Sequence, residues 1–392
     1  MTRESLLNAG WLKTVDRLGG AEKLEKEARE VGTFRRVREV KCAVDLLRLT
    51  LAYCLGAMGL RLTAAWAETV GLASLSNVAL LKRLRKSVPW LEILVGRLIG
   101  AGAGASLAAA GRGRLIRIVD ATAVAKKGKA SREAGGLWRV HAVFDLPSER
   151  FSAFELTDES EGERFDRAAV VPGEIRIGDR AYLQPDRIAN VLAAGADILV
   201  RAKWNGARWV DANGAGIDLV QLLKKARGKG LVDRPIWIKA TGPTPIALRL
   251  VAIRKPKQAR DATIERITRE ARDKGRTLQP ETLVTAEWMI LVTSLDRGEF
   301  PLPAIGDLYR LRWRIEIAFK HLKSGVGLDR PPGEDPDVAK AHILCHLLMI
   351  LLTEPLLAEH LGDSPRQAAA CRWREGTSVQ GRCKTREGTG DW

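Results

Sequence analysis

Residues 309–324 read YRLRWRIEIAFKHLKS, with a single carboxylate, Glu316, among three arginines and two lysines. At about 100° per residue, Leu308, Leu311, Ile315, Phe319 and Leu322 share an apolar stripe. Tyr309, Arg312, Glu316, Lys320 and Lys323 form a polar stripe beside it. A carboxylate held among cations stays ionised, and the cations remain able to meet a polyanion. That suits a metal-binding acid working on phosphate; a solvated face stapled by i,i+4 ion pairs uses the same residues. Two more acids extend the first reading. Asp120 ends the apolar run RLIRIVD and Asp179 ends EIRIGD, at strand ends where α/β sheets place their chemistry. A strand-end aspartate also serves as a turn former or helix cap. Three carboxylates around one point can hold two divalent ions, which promote in-line displacement at phosphorus.

The elements that must position these residues follow from hydrophobic periodicity. Residues 1–110 read as all helix, with segments near 20–31, 40–58, 61–70, 76–86 and 88–100. The segment from Ser76, a candidate N-cap, has apolar spacing at Val78, Leu80, Leu81 and Leu84, and cations at Lys82, Arg83, Arg85 and Lys86. It has the size of a helix-turn-helix unit, and its cations fit either phosphate contacts or a solvated face. The Gly/Ala-rich stretch 100–114 marks a boundary. Beyond it the period shortens. RLIRIVDAT, WRVHAVFDL and RFSAFELTD predict an antiparallel meander, and the run to Asp179, a helix near 185–195 and DILVRAKW add strand–helix–strand units. The expected catalytic part, 111–201 and 285–361, is therefore an α/β mixed sheet with flanking helices. Between them, 202–284 reads as an inserted, mainly β module, and 362–392 as a disordered tail with almost no apolar period.

Composition narrows the partner. The 392 residues carry 64 Lys+Arg against 47 Asp+Glu, a net charge of +17, which favours nucleic acid or an anionic membrane. An apolar run of about 18 residues and a signal-peptide pattern are both missing on inspection, which disfavours the membrane. Five cysteines without a CxxC predict a reducing, cytoplasmic setting and no structural zinc. His342 and His346, at i,i+4 in HILCHLLMILL, read as core residues.

The spacing Tyr309-x2-Arg312-x3-Glu316-x6-Lys323, with VDATAV around Asp120, GDRAY around Asp179 and LVTSL at 291–295, resembles the DDE transposases of the IS-four group of bacterial insertion sequences, which includes Tn-five-like enzymes. The resemblance spans roughly residues 35–360. It implies an RNase H-like catalytic domain with Asp120, Asp179 and Glu316 as the metal-binding triad for two Mg²⁺ ions, Mn²⁺ substituting. It implies metal-dependent cleavage at the element ends followed by strand transfer, with transposon-end and target DNA as partners and a homodimer in the synaptic complex. By the same carry-over, Arg312 and Lys323 hold end phosphates, Tyr309 positions the backbone, and Lys320 and Arg201 are further DNA contacts. Trp288 matches a tryptophan that stacks on a flipped base in some relatives, while a strand tryptophan also serves as core. Two rival readings share features: an RNase H-like nuclease without strand transfer, and a transposase-derived DNA-binding protein without activity. The C-terminal region departs from the family pattern, being replaced by the aperiodic tail.

Overall fold

A computed structural model describes residues 3–56, 58–100, 111–125, 136–148, 150–158, 160–312, 331 and 335–361. Five helices come first: α1 (Arg3–Arg17), α2 (Ala21–Glu30), α3 (Ala43–Leu55), α4 (Leu60–Thr69) and α5 (Asn77–Gly100). The Ser76 hydroxyl accepts from the Ala79 amide at 3.2 Å, so the predicted cap is in place. The two segments expected at 76–86 and 88–100 are one helix that continues through Pro89. Leu80, Leu84, Val88, Leu91 and Val95 follow a single stripe and are all buried. Burial of that stripe outweighs the backbone hydrogen bond that the proline removes. Helix α1 has no counterpart in the periodicity reading.

The described strands form one mixed sheet of nine, in the order β3-β2-β1-β4-β5-β9-β8-β7-β6. The meander is β1 (Ile116–Ala125), β2 (Leu137–Asp145) and β3 (Arg150–Asp158). β4 (Ile175–Gly178) runs parallel to β1, and α6 (Pro185–Ala193) crosses over to β5 (Asp197–Arg201), parallel to β4. β1 does not end at Asp120 as the sequence suggested. It goes on to Ala125, because its hairpin with β2 pairs Asp120 with Ala142 and Ala125 with Leu137.

Residues 202–284 contain β6 (Arg208–Val210), α7 (Leu219–Lys225), β7 (Leu231–Lys239), β8 (Ile246–Arg254), α8 (Lys257–Asp273) and α9 (Pro280–Ala286). The expected mainly β module is corrected here: helices of 7, 17 and 7 residues accompany strands of 3, 9 and 9. Its strands also join the main sheet, since β8 pairs with β9 (Trp288–Thr293) from Arg249 to Arg254, and β9 pairs with β5. α10 (Leu302–Leu311) and α11 (Pro336–Leu361) complete the described chain.

Alternation along the strands divides the core in two. Ile116, Ile118, Ile175, Ile177 and Leu199 face the five N-terminal helices, α10 and α11 in one continuous cluster. Val119, Ile198, Val200, Ile290 and Val292 face α6 and α7 in the other. The N-terminal helices are thus a layer on the sheet. The window Pro336–Thr353 is apolar enough to cross a membrane by length and composition, contrary to the sequence reading, yet 72% of it is buried inside the fold. It packs on α3 and α5 as a core helix. His342 and His346 sit within it with stacked rings 4.4 Å apart, as core residues. The tail 362–392 lies outside the described residues.

Candidate active site at the carboxyl end of the parallel strands

The parallel pairing of β1 with β4 aligns Ile116 with Ile175 and Ile118 with Ile177. Asp120 and Asp179 each lie two residues beyond the last aligned pair, so the two acids fall at one level on adjacent strands. β4 stops there because Asp179 changes job from strand to cap. Its Oδ1 accepts from the Ala181 amide at 2.7 Å and starts a single 3₁₀ turn, Arg180–Tyr182. That turn folds back over Gly178, where an added Cβ would stand 2.9 Å from Tyr182 Cβ and 3.0 Å from a Phe165 ring carbon. Glycine is needed here for close approach. Gly178→Ala is expected to cost about 1–3 kcal/mol through overpacking and to displace the Asp179 turn. A urea titration reads the first effect, and a crystal structure of the variant reads the second.

Asp120 reaches the same place from mid-strand. Its Oδ1 accepts from the Ala121 amide at 2.9 Å, and its side chain is 13% exposed. Arg312 brings its Nη1 to 3.8 Å from Asp120 Oδ2, an attraction without hydrogen-bond contact. The guanidinium also lies 5.6 Å from the centre of the Tyr309 ring. Tyr309, at the end of α10, is 4% exposed. Burial pushes its phenol up, opposed by Arg312 and Arg201 and reinforced by Asp179. Tyr182 is pushed up well beyond the usual range, first by burial and then by Asp120, Glu163 and Asp179. Both tyrosines are therefore neutral phenols within the field of the two acids.

Five of the sequence-predicted residues, Asp120, Asp179, Arg201, Tyr309 and Arg312, gather at this end of the sheet. Glu316, Lys320 and Lys323 lie outside the described residues. Trp288 lies apart, as the first residue of β9 opposite Arg254, and is 2% exposed within the core on the α6–α7 face. As described, its indole is packed and not presented to a ligand. Tyr182 is the residue the sequence did not single out. Its place in GDRAY was visible, but a role needed the turn that swings it under Gly178.

Aspartate oxygens are hard donors, and a pair at one level on neighbouring strands suits Mg²⁺ or Mn²⁺ better than a soft metal. Among the described residues no group of three His, Cys, Asp or Glu side chains gathers.

Comparison with known proteins points the same way. The family model described as "Transposase DDE domain" matches residues 111–352. The chain is 37% identical over 365 residues to InsL, named as a transposase for insertion sequence element IS186A of Escherichia coli strain K12, covering 92% of this chain and 97% of that protein. It is likewise 37% identical over 366 residues to the transposase for insertion sequence element IS421 of Escherichia coli, with the same coverage. A more distant similarity, 23% identity over 237 residues, links it to the transposase for insertion sequence element IS231F of Bacillus thuringiensis subsp. israelensis, over 55% of this chain and 49% of that one.

Proposed function

The chain belongs to the transposase DDE domain family, and from that premise we propose that it excises its insertion sequence by cutting DNA at the element ends and joins the freed 3′ ends to target DNA. Asp120, Asp179 and Glu316 are the metal ligands in this reading, on an RNase H-like arrangement of β1 to β5. What carries it is the level placement of Asp120 and Asp179 together with Arg312 at Asp120, since Arg312 precedes Glu316 by four residues in the sequence. Divalent ions held by the three acids, Mg²⁺ or Mn²⁺, supply activation of the attacking oxygen and stabilisation of the leaving one.

The protein's own groups do the rest. Arg312 holds a phosphate of the element end beside Asp120, and Arg201 meets the same strand from the end of β5. Tyr309, buried and neutral, backs the Arg312 guanidinium with its ring and keeps it aimed at the site. Lys323 and Lys320 add phosphate contacts along the strand. The net charge of +17 supports DNA as the partner; in this reading two copies pair the two ends as a homodimer, acting in the cytoplasm.

The test is a duplex carrying the element's own terminal sequence and flanking DNA, incubated with the protein and Mg²⁺. Breaks at the element boundary and joined products on a target plasmid are expected, both abolished by chelation. Cutting without joining would instead make it a nuclease. Binding without cutting in either Mg²⁺ or Mn²⁺ would leave only a DNA-binding protein. The phosphate role of Lys323 has a separate readout: Lys323→Ala should reduce the slope of log affinity against log salt by about one unit. An unchanged slope would return Lys323 to a solvated face.

A further inference from the structure

A cluster of cations sits beside the two acids, and two of its members, Lys255 and Arg266, come from elements that the site has not used. Lys255 follows β8, and its ammonium donates to the Ala286 carbonyl at 2.8 Å and to the Thr263 hydroxyl at 3.2 Å. These contacts tie it to α9 and α8, leaving it half-buried. Arg201 from β5, Arg266 from α8 and Arg180 from the turn after Asp179 all bring positive charge to it. Glu287, next to α9, serves Arg227, Arg254 and Arg260. Arg266 has Glu270 on its own helix, at 2.6 Å. Arg180 is exposed. Helix α8, which frames the cluster, has no buried residue along its 17 positions. Four cations from four elements repel one another, and a phosphodiester among them would reverse that.

We propose that Arg180, Lys255 and Arg266 hold a backbone phosphate of the DNA that leaves the aspartate pair along α8. The proposal rests on the transposase reading and adds a second anchoring point to it. It carries a consequence that ordinary phosphate contacts lack. Burial and the neighbouring arginines push the Lys255 ammonium down to about 8. An arriving phosphate favours the charged form and raises it again. Binding therefore takes up a proton from solvent, and affinity falls as pH rises above about 8, because an increasing fraction of the free protein has a neutral Lys255 that must be recharged.

The experiment measures affinity for an element-end duplex at pH 7 and pH 9, at fixed salt, for the wild type, Lys255→Arg, Arg180→Gln and Arg266→Gln. The wild type should weaken by roughly tenfold over this range, as a group near pH 8 loses about nine-tenths of its protons by pH 9. Lys255→Arg keeps the charge and should flatten the pH dependence while binding normally at pH 7. Arg180→Gln and Arg266→Gln, at exposed positions, should each lower the salt slope by about one unit. Equal pH dependence in wild type and Lys255→Arg, or unchanged slopes in both glutamine variants, would overturn the site. A wild type that binds no element-end duplex at either pH would fail the transposase reading itself, a different result.

Discussion

Asp179→Asn should lower cleavage of element-end DNA by several orders of magnitude while the protein stays folded and bound to DNA. Asparagine caps as well as aspartate, so the bond to the Ala181 amide and the turn over Gly178 persist. What is lost is negative charge where divalent ions need it. Asp120→Asn and Glu316→Gln should have effects of the same size, and the three should not multiply, because they serve one cluster. DNA affinity should hold or tighten, since a charge that repels phosphate has gone. Single-turnover cleavage alongside a binding isotherm separates the two. If Asp179→Asn cut at near wild-type rate, its carboxylate would be a cap and nothing more.

Glu174→Gln, at the opposite end of β4 from Asp179, is expected to cost about 3–5 kcal/mol of stability. Glu174 and Arg176 are both 0% exposed. The carboxylate accepts from Arg176 Nε at 2.7 Å, from Arg117 Nη1 at 2.8 Å and from the Val171 amide at 3.1 Å. Arg176 in turn donates to the carbonyls of Phe165, Ala168 and Ala169, and Arg117 to Asp145 and Ala169. The network fastens the 165–171 segment under β1 and β4. Glutamine keeps the shape but leaves two buried guanidiniums with one acid fewer and turns an amide donor toward them. The urea midpoint should fall sharply with an unchanged slope. A loss below about 1 kcal/mol would mean that Asp145 and the carbonyls satisfy both arginines unaided.

The same residues show what the sequence could say. The alternation Ile116, Arg117, Ile118 and Ile175, Arg176, Ile177 made both strands legible, whereas the register that puts Asp120 and Asp179 at one level came from the pairing of β1 with β4. Arg117 and Arg176 fall between these isoleucines. Their burial depends on carbonyls of the 165–169 segment and on Asp145, which no local period reveals. The end of β1 was misplaced because a polar residue inside a hairpin looks like a strand end. Trp288 could be core or platform on spacing alone, and the structure buries its side chain on the α6–α7 face of the sheet. The cations around Lys255 were invisible, since they come from four elements and share no spacing. The continuity of β8 with β9 was equally hidden: strand partners are not written in either strand.

The helix α11 under α3 and α5 also sets an order of events during synthesis. Leu46, Leu94 and Leu348 belong to one cluster, so the first helices made cannot cover their apolar faces until α11 has emerged. At about 5–20 residues per second, the ribosome needs roughly ten to fifty seconds to pass from Gly100 to Pro336. Through that interval the N-terminal layer is an open apolar surface, exposed to chaperones and to neighbouring nascent chains. Fragments that stop short of α11 keep that surface for life and are natural substrates for proteolysis. A fold closed by α11 ties the arming of the enzyme to translation past Leu361.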